Sequence, residues 1–226
     1  MYDTAIYIGR FEPVHNGHMA LLQRALDSAR NVIVVMGSAW QARSPKNPFT
    51  CHERADMMLE ALTETDRARV QVLPMRDYYN EALWVQAVRK GVGQIAAADA
   101  HVGLVGHFKD ATSSYLSAFP GWELIHVERQ GRIDATAIRD AYFGATPGTV
   151  RARLSDLASQ MPESTLGFLE RFAQTRCSSS PAPSTPPLCR KSGACCAATA
   201  RPGPQRPTRR CLSPWMPSCA ARTMCC

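Results

Sequence analysis

The sequence predicts an α/β fold on a parallel sheet of about five strands, and three observations carry that prediction. Short apolar, β-prone runs alternate with segments of helical period along most of the chain. One of the runs, NVIVVMG (31–37), is continuously apolar after Asn31 and ends in glycine, the pattern of a strand buried on both faces. The alternation leaves room for right-handed crossovers between parallel strands, which place ligands at the strands' carboxyl ends; the segment GRFEPVHNGH (9–18) follows the first such end.

Each element follows from its residues. Thr4 to Ile8 is short and β-prone, the first strand. Met19, Leu22, Leu26 and Ala29 then fall at helical spacing, and residues 31–37 form the second strand. Beyond the polar loop SAWQARSPKNPF (38–49), Thr50 and Glu53 have the spacing of a capping box, with Ala55, Met58, Leu59 and Leu62 as the apolar stripe behind it. VQVLPM (70–75) is the third strand, EALWVQAVRKGV (81–92) a helix, residues 101–106 the fourth strand, TSSYLSAF (112–119) a short helix and WELIHV (122–127) the fifth strand. DATAIRDAYF (134–143) and PESTLGFLERFA (162–173) close the ordered part as helices, the second opening on Pro162 and turning Leu166, Leu169 and Phe172 inward.

Charge and cysteine divide the 226 residues in the same place. The chain carries a net charge of +7, yet residues 1–176 hold 19 basic and 19 acidic side chains; the excess lies in residues 177–226, with seven basic and no acidic residues. A basic tail on a neutral body gives no reason to expect a nucleic-acid partner. Cys51 is the one cysteine before residue 177, and eight follow, which suits a body kept in a reducing cytoplasm. No basic region precedes an apolar leader at the N-terminus, and no run approaches the roughly 18 apolar residues that span a bilayer, so no membrane partner is expected.

Two constellations carry chemistry. His15 and His18 stand three apart at a strand-to-helix junction, where free N–H groups and the positive end of the helix dipole attract anions. Two imidazole donors added there would hold a polyphosphate; a capping pair, or half of a zinc site, would use the same residues. Zinc needs further ligands, and neither an H-E-x-x-H nor a cysteine pair supplies them. In the second constellation Asp134, Thr136 and Arg139 occupy a loop-to-helix transition, so that a hydroxyl, backbone N–H groups and a guanidinium can converge on phosphate oxygens.

Together these motifs resemble those of the nucleotidyltransferase superfamily, which pairs H-x-G-H after the first strand with a Ser/Thr-x-x-Ile-Arg motif near the end. HNGH matches the first in full; TAIR keeps Thr136, Ile138 and Arg139, while Asp134 and Ala135 stand where serines are common. The segments GRFEPVHNGH, GSA (37–39), NPFTCHER (47–54), ALWV (82–85) and TAIR resemble, in order and spacing, archaeal-type NMN adenylyltransferases and the N-terminal half of bacterial bifunctional NMN adenylyltransferase/Nudix hydrolases. The resemblance covers about residues 1–175 and implies a Rossmann-like nucleotidyltransferase fold that joins ATP to NMN, giving NAD and pyrophosphate in NAD biosynthesis. It implies that Gly9, Arg10, Phe11, His15, His18, Gly106, Thr136 and Arg139 bind ATP, with His15, His18 and Arg139 catalytic, and that Mg²⁺ accompanies the nucleotide without a dedicated metal site. For NMN it implies Ser38, Asp77 and Trp84: an indole can stack on a cationic pyridinium and a carboxylate can accept its hydroxyl or amide protons. A tryptophan on an amphipathic helix usually packs in the core, here near Val88, and the ALWV match is what favours a ligand role for Trp84; Ser38, Lys46 and Asn47 are loop residues for which solvent is an equal alternative. Cys51 and His52 read as ordinary first-turn residues; His101, His107 and His126 take no role.

Other superfamily activities, on nicotinate mononucleotide, on phosphopantetheine or with CTP, remain open, as do homo-oligomerisation and a nucleotide-sensing module with decayed catalysis. From about residue 176 the chain changes character: nine Pro, eight Cys, no Asp, Glu or His, and no Ile, Val, Phe or Tyr. That composition cannot build a core and matches GC-rich DNA read out of frame, so residues 176–226 are expected to be a disordered tail replacing a Nudix domain. A Nudix signature needs several glutamates, and the last in this chain is Glu170, so no Nudix hydrolysis is expected of it.

Overall fold

Five parallel strands lie in the order β3-β2-β1-β4-β5, so the first strand takes the centre and the chain winds outward from it in both directions. The computed structural model describes residues 1–106, 118–127, 133–146 and 148–179, with side chains described through residue 174. The strands are β1 (Tyr2–Gly9), β2 (Ala29–Met36), β3 (Val70–Pro74), β4 (Val102–Gly106) and β5 (Glu123–His126). Register is set by the apolar runs: Ile6 lies beside Ile33 on one side and Leu104 on the other. All three side chains are buried, as the centre of a sheet covered on both faces requires.

The helices are α1 (Asn16–Ser28), α2 (Cys51–Leu59), α3 (Glu64–Arg67), α4 (Glu81–Gly93), α5 (Ala135–Phe143), α6 (Val150–Leu157) and α7 (Glu163–Ser179). On one face Leu22, Ala25 and Leu26 of α1 pack with Met57 and Met58 of α2, Ile138 and Tyr142 of α5, Leu154 of α6 and Leu169 of α7. On the other, Val88 and Val92 of α4 cover Ile6, Ile33, Val35 and Leu104. Each fully buried aliphatic of this kind contributes about 1.5–3 kcal/mol.

Several expectations need adjusting. Ala29, read as the last position of the first helical stripe, opens β2 and is fully buried there. Leu62 lies beyond α2, which ends at Leu59, and packs against the core from the following turn. The short α3 and α6, and a 3₁₀ turn at Ala158–Gln160, carry too little apolar periodicity to be read from sequence. The predicted capping box is present: the Thr50 hydroxyl accepts from the Glu53 N–H, and the Glu53 carboxylate accepts from the Thr50 N–H. Cys51 and His52 are first-turn residues of α2 as expected. The expected helix at 112–119 falls, for residues 112–117, outside the described residues, as do His107 and the tail from residue 180; α7 runs to Ser179, past the boundary at 175. Among the described residues no helix is long and apolar enough to cross a membrane.

Candidate active site

The carboxyl ends of β1, β2 and β4 meet at the centre of the sheet, and the loop after β1 turns sharply there. A side chain on Gly9 would bring its Cβ within 2.7 Å of the Phe11 ring, so glycine is what lets the loop fold back. Phe11 sits at φ 59°, a left-handed conformation costing of order 1 kcal/mol for a bulky residue. Burial offsets that cost: its ring is 1% exposed and packs edge-on against Tyr7 and His18, with centroids 5.1 and 5.0 Å away. Phe11 therefore shapes the loop from within the core, and any ligand contact it makes comes through its backbone. Arg10 beside it is exposed, and its charge reaches the Glu12 carboxylate.

His15 is the N-cap of α1, and its Nδ1 accepts from the His18 N–H at 3.3 Å. The capping role expected of a histidine pair is thus real, and it fixes the proton of neutral His15 on Nε2, which remains a donor. The two imidazoles stack, with centroids 3.6 Å apart and planes 21° from parallel. Gly17 permits the stack, because a Cβ there would lie 3.0 Å from the His15 ring. Burial pushes the His15 pKa down to about 4, partly countered by the nearby Asp134 carboxylate. His18 is held well below the ordinary value by burial first and by His15 second. Both rings are neutral at physiological pH, and the buried Nδ1 of His18 has no partner among the described residues. A buried polar atom left open beside a helix N-terminus is one that an ordered water or a ligand can satisfy.

The second constellation reaches the first directly. Asp134 caps α5 by accepting from the Thr136 N–H at 2.8 Å, so that N–H is already engaged. Arg139, one turn on, donates from Nη2 to the Thr136 hydroxyl at 3.2 Å and from Nη1 to the Glu12 carbonyl in the loop after β1. TAIR and GRFEPVHNGH, 127 residues apart in sequence at this bond, form one polar cluster in the fold.

Beneath that cluster lies a pair that sequence reasoning missed. Arg54 of α2 is fully buried; it donates to the carbonyls of Arg10, of Gly37 (2.9 Å), of Ser38 (3.4 Å) and of Thr50 (3.3 Å). Its Nε also lies 3.2 Å from the carboxylate of Glu12, which is 3% exposed and accepts from the Phe49 N–H. Burial raises the Glu12 pKa to about 7, against the pull of Arg54, the Phe49 N–H, Arg139 and Arg10. The available signal was Arg54 itself, a long cation inside an otherwise buried stretch of α2.

The residues expected at NMN divide into two groups. Ser38 is buried at φ 53°, and its N–H and hydroxyl both donate to Asp77, at 3.0 and 2.7 Å. Asp77 also accepts from Gln41 at 2.9 Å, so Ser38 and Asp77 hold the loop after β2 against the loop after β3. Trp84 lies in the first turn of α4, half-buried, with its ring edge-on to Phe119 at 5.7 Å. Of the loop candidates, Asn47 is buried and bonds Gln41, while Lys46 is exposed. Gly106 ends β4, where its carbonyl accepts from the Val127 N–H at 3.1 Å. A cavity of about 500 Å³ lies beside this region, lined by Ser38, Trp40, Asn47 and Phe49 among others. A second, of about 450 Å³, opens at the opposite, amino ends of the strands beside Thr4, Asn31 and Gln71, away from the histidines. Among the described residues no cluster of three metal-ligating side chains occurs.

Comparison with known proteins agrees with this fold. Residues 6–140 match the cytidylyltransferase-like family. A nicotinamide/nicotinic acid mononucleotide adenylyltransferase of Acinetobacter baylyi is 38% identical over 76% of this chain and 87% of its own length. A bifunctional NMN adenylyltransferase/ADP-ribose pyrophosphatase from Francisella tularensis superposes with a TM-score of 0.65 at 30% identity, over 78% of this chain and 51% of that one. A second structure under that description, complexed with AMP and a manganese ion, gives 0.58 at 27% identity over 78% and 54%. The chain thus spans about half the length of these bifunctional structures. The chain belongs to the cytidylyltransferase-like family of nucleotidyltransferases, and its relatives there are the mononucleotide adenylyltransferases of NAD biosynthesis.

Proposed function

We propose that the chain transfers AMP from ATP to the 5′-phosphate of nicotinamide mononucleotide. An oxygen of the mononucleotide phosphate attacks the α-phosphorus of ATP, the bond to the bridging oxygen breaks, and pyrophosphate leaves in line with that bond's electrons. No side-chain nucleophile is needed, so positioning and charge stabilisation supply the rate. The observation that carries this reading is the bond from Arg139 to the Glu12 carbonyl, which unites the stacked histidines and the TAIR motif in one cradle. In that cradle His15, His18, Thr136, Arg139 and Arg10 meet the phosphates, and Gly9 and Gly106 let ATP approach the strand ends. Phosphate charge opposes the burial that keeps both imidazoles neutral, so each ring gains basicity as the nucleotide binds. A divalent ion, Mg²⁺ in the cell, arrives with ATP, in keeping with the manganese in a related structure.

Trp84 stands ready to stack on the pyridine ring of the acceptor, and the Ser38–Asp77 pair fixes the loop beside it. A coupled assay supplying ATP with NMN, nicotinate mononucleotide or phosphopantetheine tests the choice of acceptor. NMN is expected to turn over with the highest kcat/KM; turnover of phosphopantetheine alone would overturn the reading, and nicotinate mononucleotide as the better acceptor would revise it. We further propose that the transferase domain ends near residue 175 and that the remaining residues are read out of frame. Translating the gene's other frames beyond that codon is expected to reveal a glutamate-rich Nudix array, and finding no plausible domain there would remove the proposal.

A further inference from the structure

We propose that the buried Glu12–Arg54 pair is the positioning device of the phosphate cradle, setting ATP affinity without touching the nucleotide. This rests on the adenylyltransferase reading above. Arg54 reaches the backbone on both sides of the site: it bonds the Arg10 carbonyl after β1, the Gly37 and Ser38 carbonyls after β2, and the Thr50 carbonyl at the start of its own helix. Glu12 is the other half of the clamp. Its carboxylate sits 3.2 Å from Arg54 and accepts from the Phe49 N–H, while its backbone carbonyl accepts from Arg139. One residue therefore joins the buried cation to the guanidinium placed on the phosphates. The loop it holds carries Arg10 at one end and His15 at the other, so a shift of Glu12 moves three phosphate ligands together. A displacement near 1 Å of such groups costs up to about 10²-fold in rate.

The charge state of Glu12 makes the device sensitive to pH. The groups facing it are Arg54 from α2, Arg139 from α5 and Arg10 from its own loop, and its charge also reaches Arg43 and Cys51. In the free protein burial holds the His15 pKa at about 4 and that of His18 well below the ordinary imidazole value. Protonation of Glu12, with its pKa near 7, removes the ion pair and leaves Arg54 to hold the loops alone.

Glu12→Gln tests this, because glutamine keeps the shape and the acceptor for Phe49 while removing the charge, and so imitates protonated wild type. The expected result is a folded protein whose KM for ATP rises between about tenfold and 10²-fold above pH 8, with the KM for the mononucleotide little changed. The wild-type to variant ratio in kcat/KM for ATP is expected to shrink toward one as pH falls through about 7. That ratio also cancels the titration of the nucleotide itself. If Glu12→Gln does not fold, Arg54→Lys replaces it: lysine keeps the charge but cannot span four carbonyls, and the same selective rise in ATP KM is expected. A KM for ATP within about twofold of wild type in the folded variant, or a ratio independent of pH, would overturn the inference. Wild-type protein that makes no dinucleotide would instead overturn the adenylyltransferase reading on which it rests.

Discussion

His18→Ala is expected to lower kcat for dinucleotide formation by about 10²–10³-fold, the loss seen when one preorganised donor to a developing anion is removed. The expectation follows from the ring's surroundings. His18 is neutral, stacked on His15 and edge-on to Phe11, and its buried Nδ1 has no partner among the described residues. A ring so placed costs stability in the free protein unless something completes it, and the adenylyltransferase reading gives that part to a phosphate. His15→Ala is the less clean experiment, since His15 also caps α1 and its loss costs about 1 kcal/mol of helix stability. The measurement is steady-state kinetics with both substrates varied, accompanied by circular dichroism to show that the variant is folded. Activity within about threefold of wild type would mean that His18 has no place at the phosphates.

Arg54→Met is expected to destabilise the protein by about 3–5 kcal/mol, the usual cost of removing one partner of a buried ion pair. Four carbonyls lose a donor and the Glu12 carboxyl loses its counter-charge. The pH dependence has a definite sign. Glu12 has a folded-state pKa near 7 against an ordinary 4.5, so between those values the folded protein binds more protons than the unfolded chain, and stability falls as pH rises through that window. Without Arg54 the folded-state pKa rises further, and the window extends above 7. The gap in urea midpoint between variant and wild type is therefore expected to widen from pH 6 to pH 8. A gap that stays constant or narrows would show that Glu12 and Arg54 are not coupled as their geometry states.

The sheet was legible because each strand is an apolar run and each principal helix an apolar stripe. The five strands stand within two residues of the runs that predict them, and the Thr50–Glu53 box caps α2 as spacing alone requires. What escaped was set by tertiary contact. Ala29 continues a helical stripe in sequence, but the pairing of β1 with β2 extends the strand back to it. The helix α6 has two buried leucines in eight residues, too few for a period to declare itself. Within the site, HNGH and TAIR were readable because their residue types suit phosphate, and the family resemblance paired them; the bond that joins them runs through a backbone carbonyl, which no side-chain pattern encodes. Phe11 reads as a loop residue until its ring is seen beneath Gly9. The bonds by which Ser38 and Asp77 hold each other likewise join two loops far apart in sequence, and no local pattern encodes them.

Transfer of label from ATP bears most directly on the whole account. With ATP labelled at the α-phosphate and NMN as acceptor, label is predicted to appear in the dinucleotide with one equivalent of unlabelled pyrophosphate, and to stay in ATP when Arg139→Ala replaces wild type. Label recovered as free AMP, or a dinucleotide formed equally fast by the variant, would contradict it.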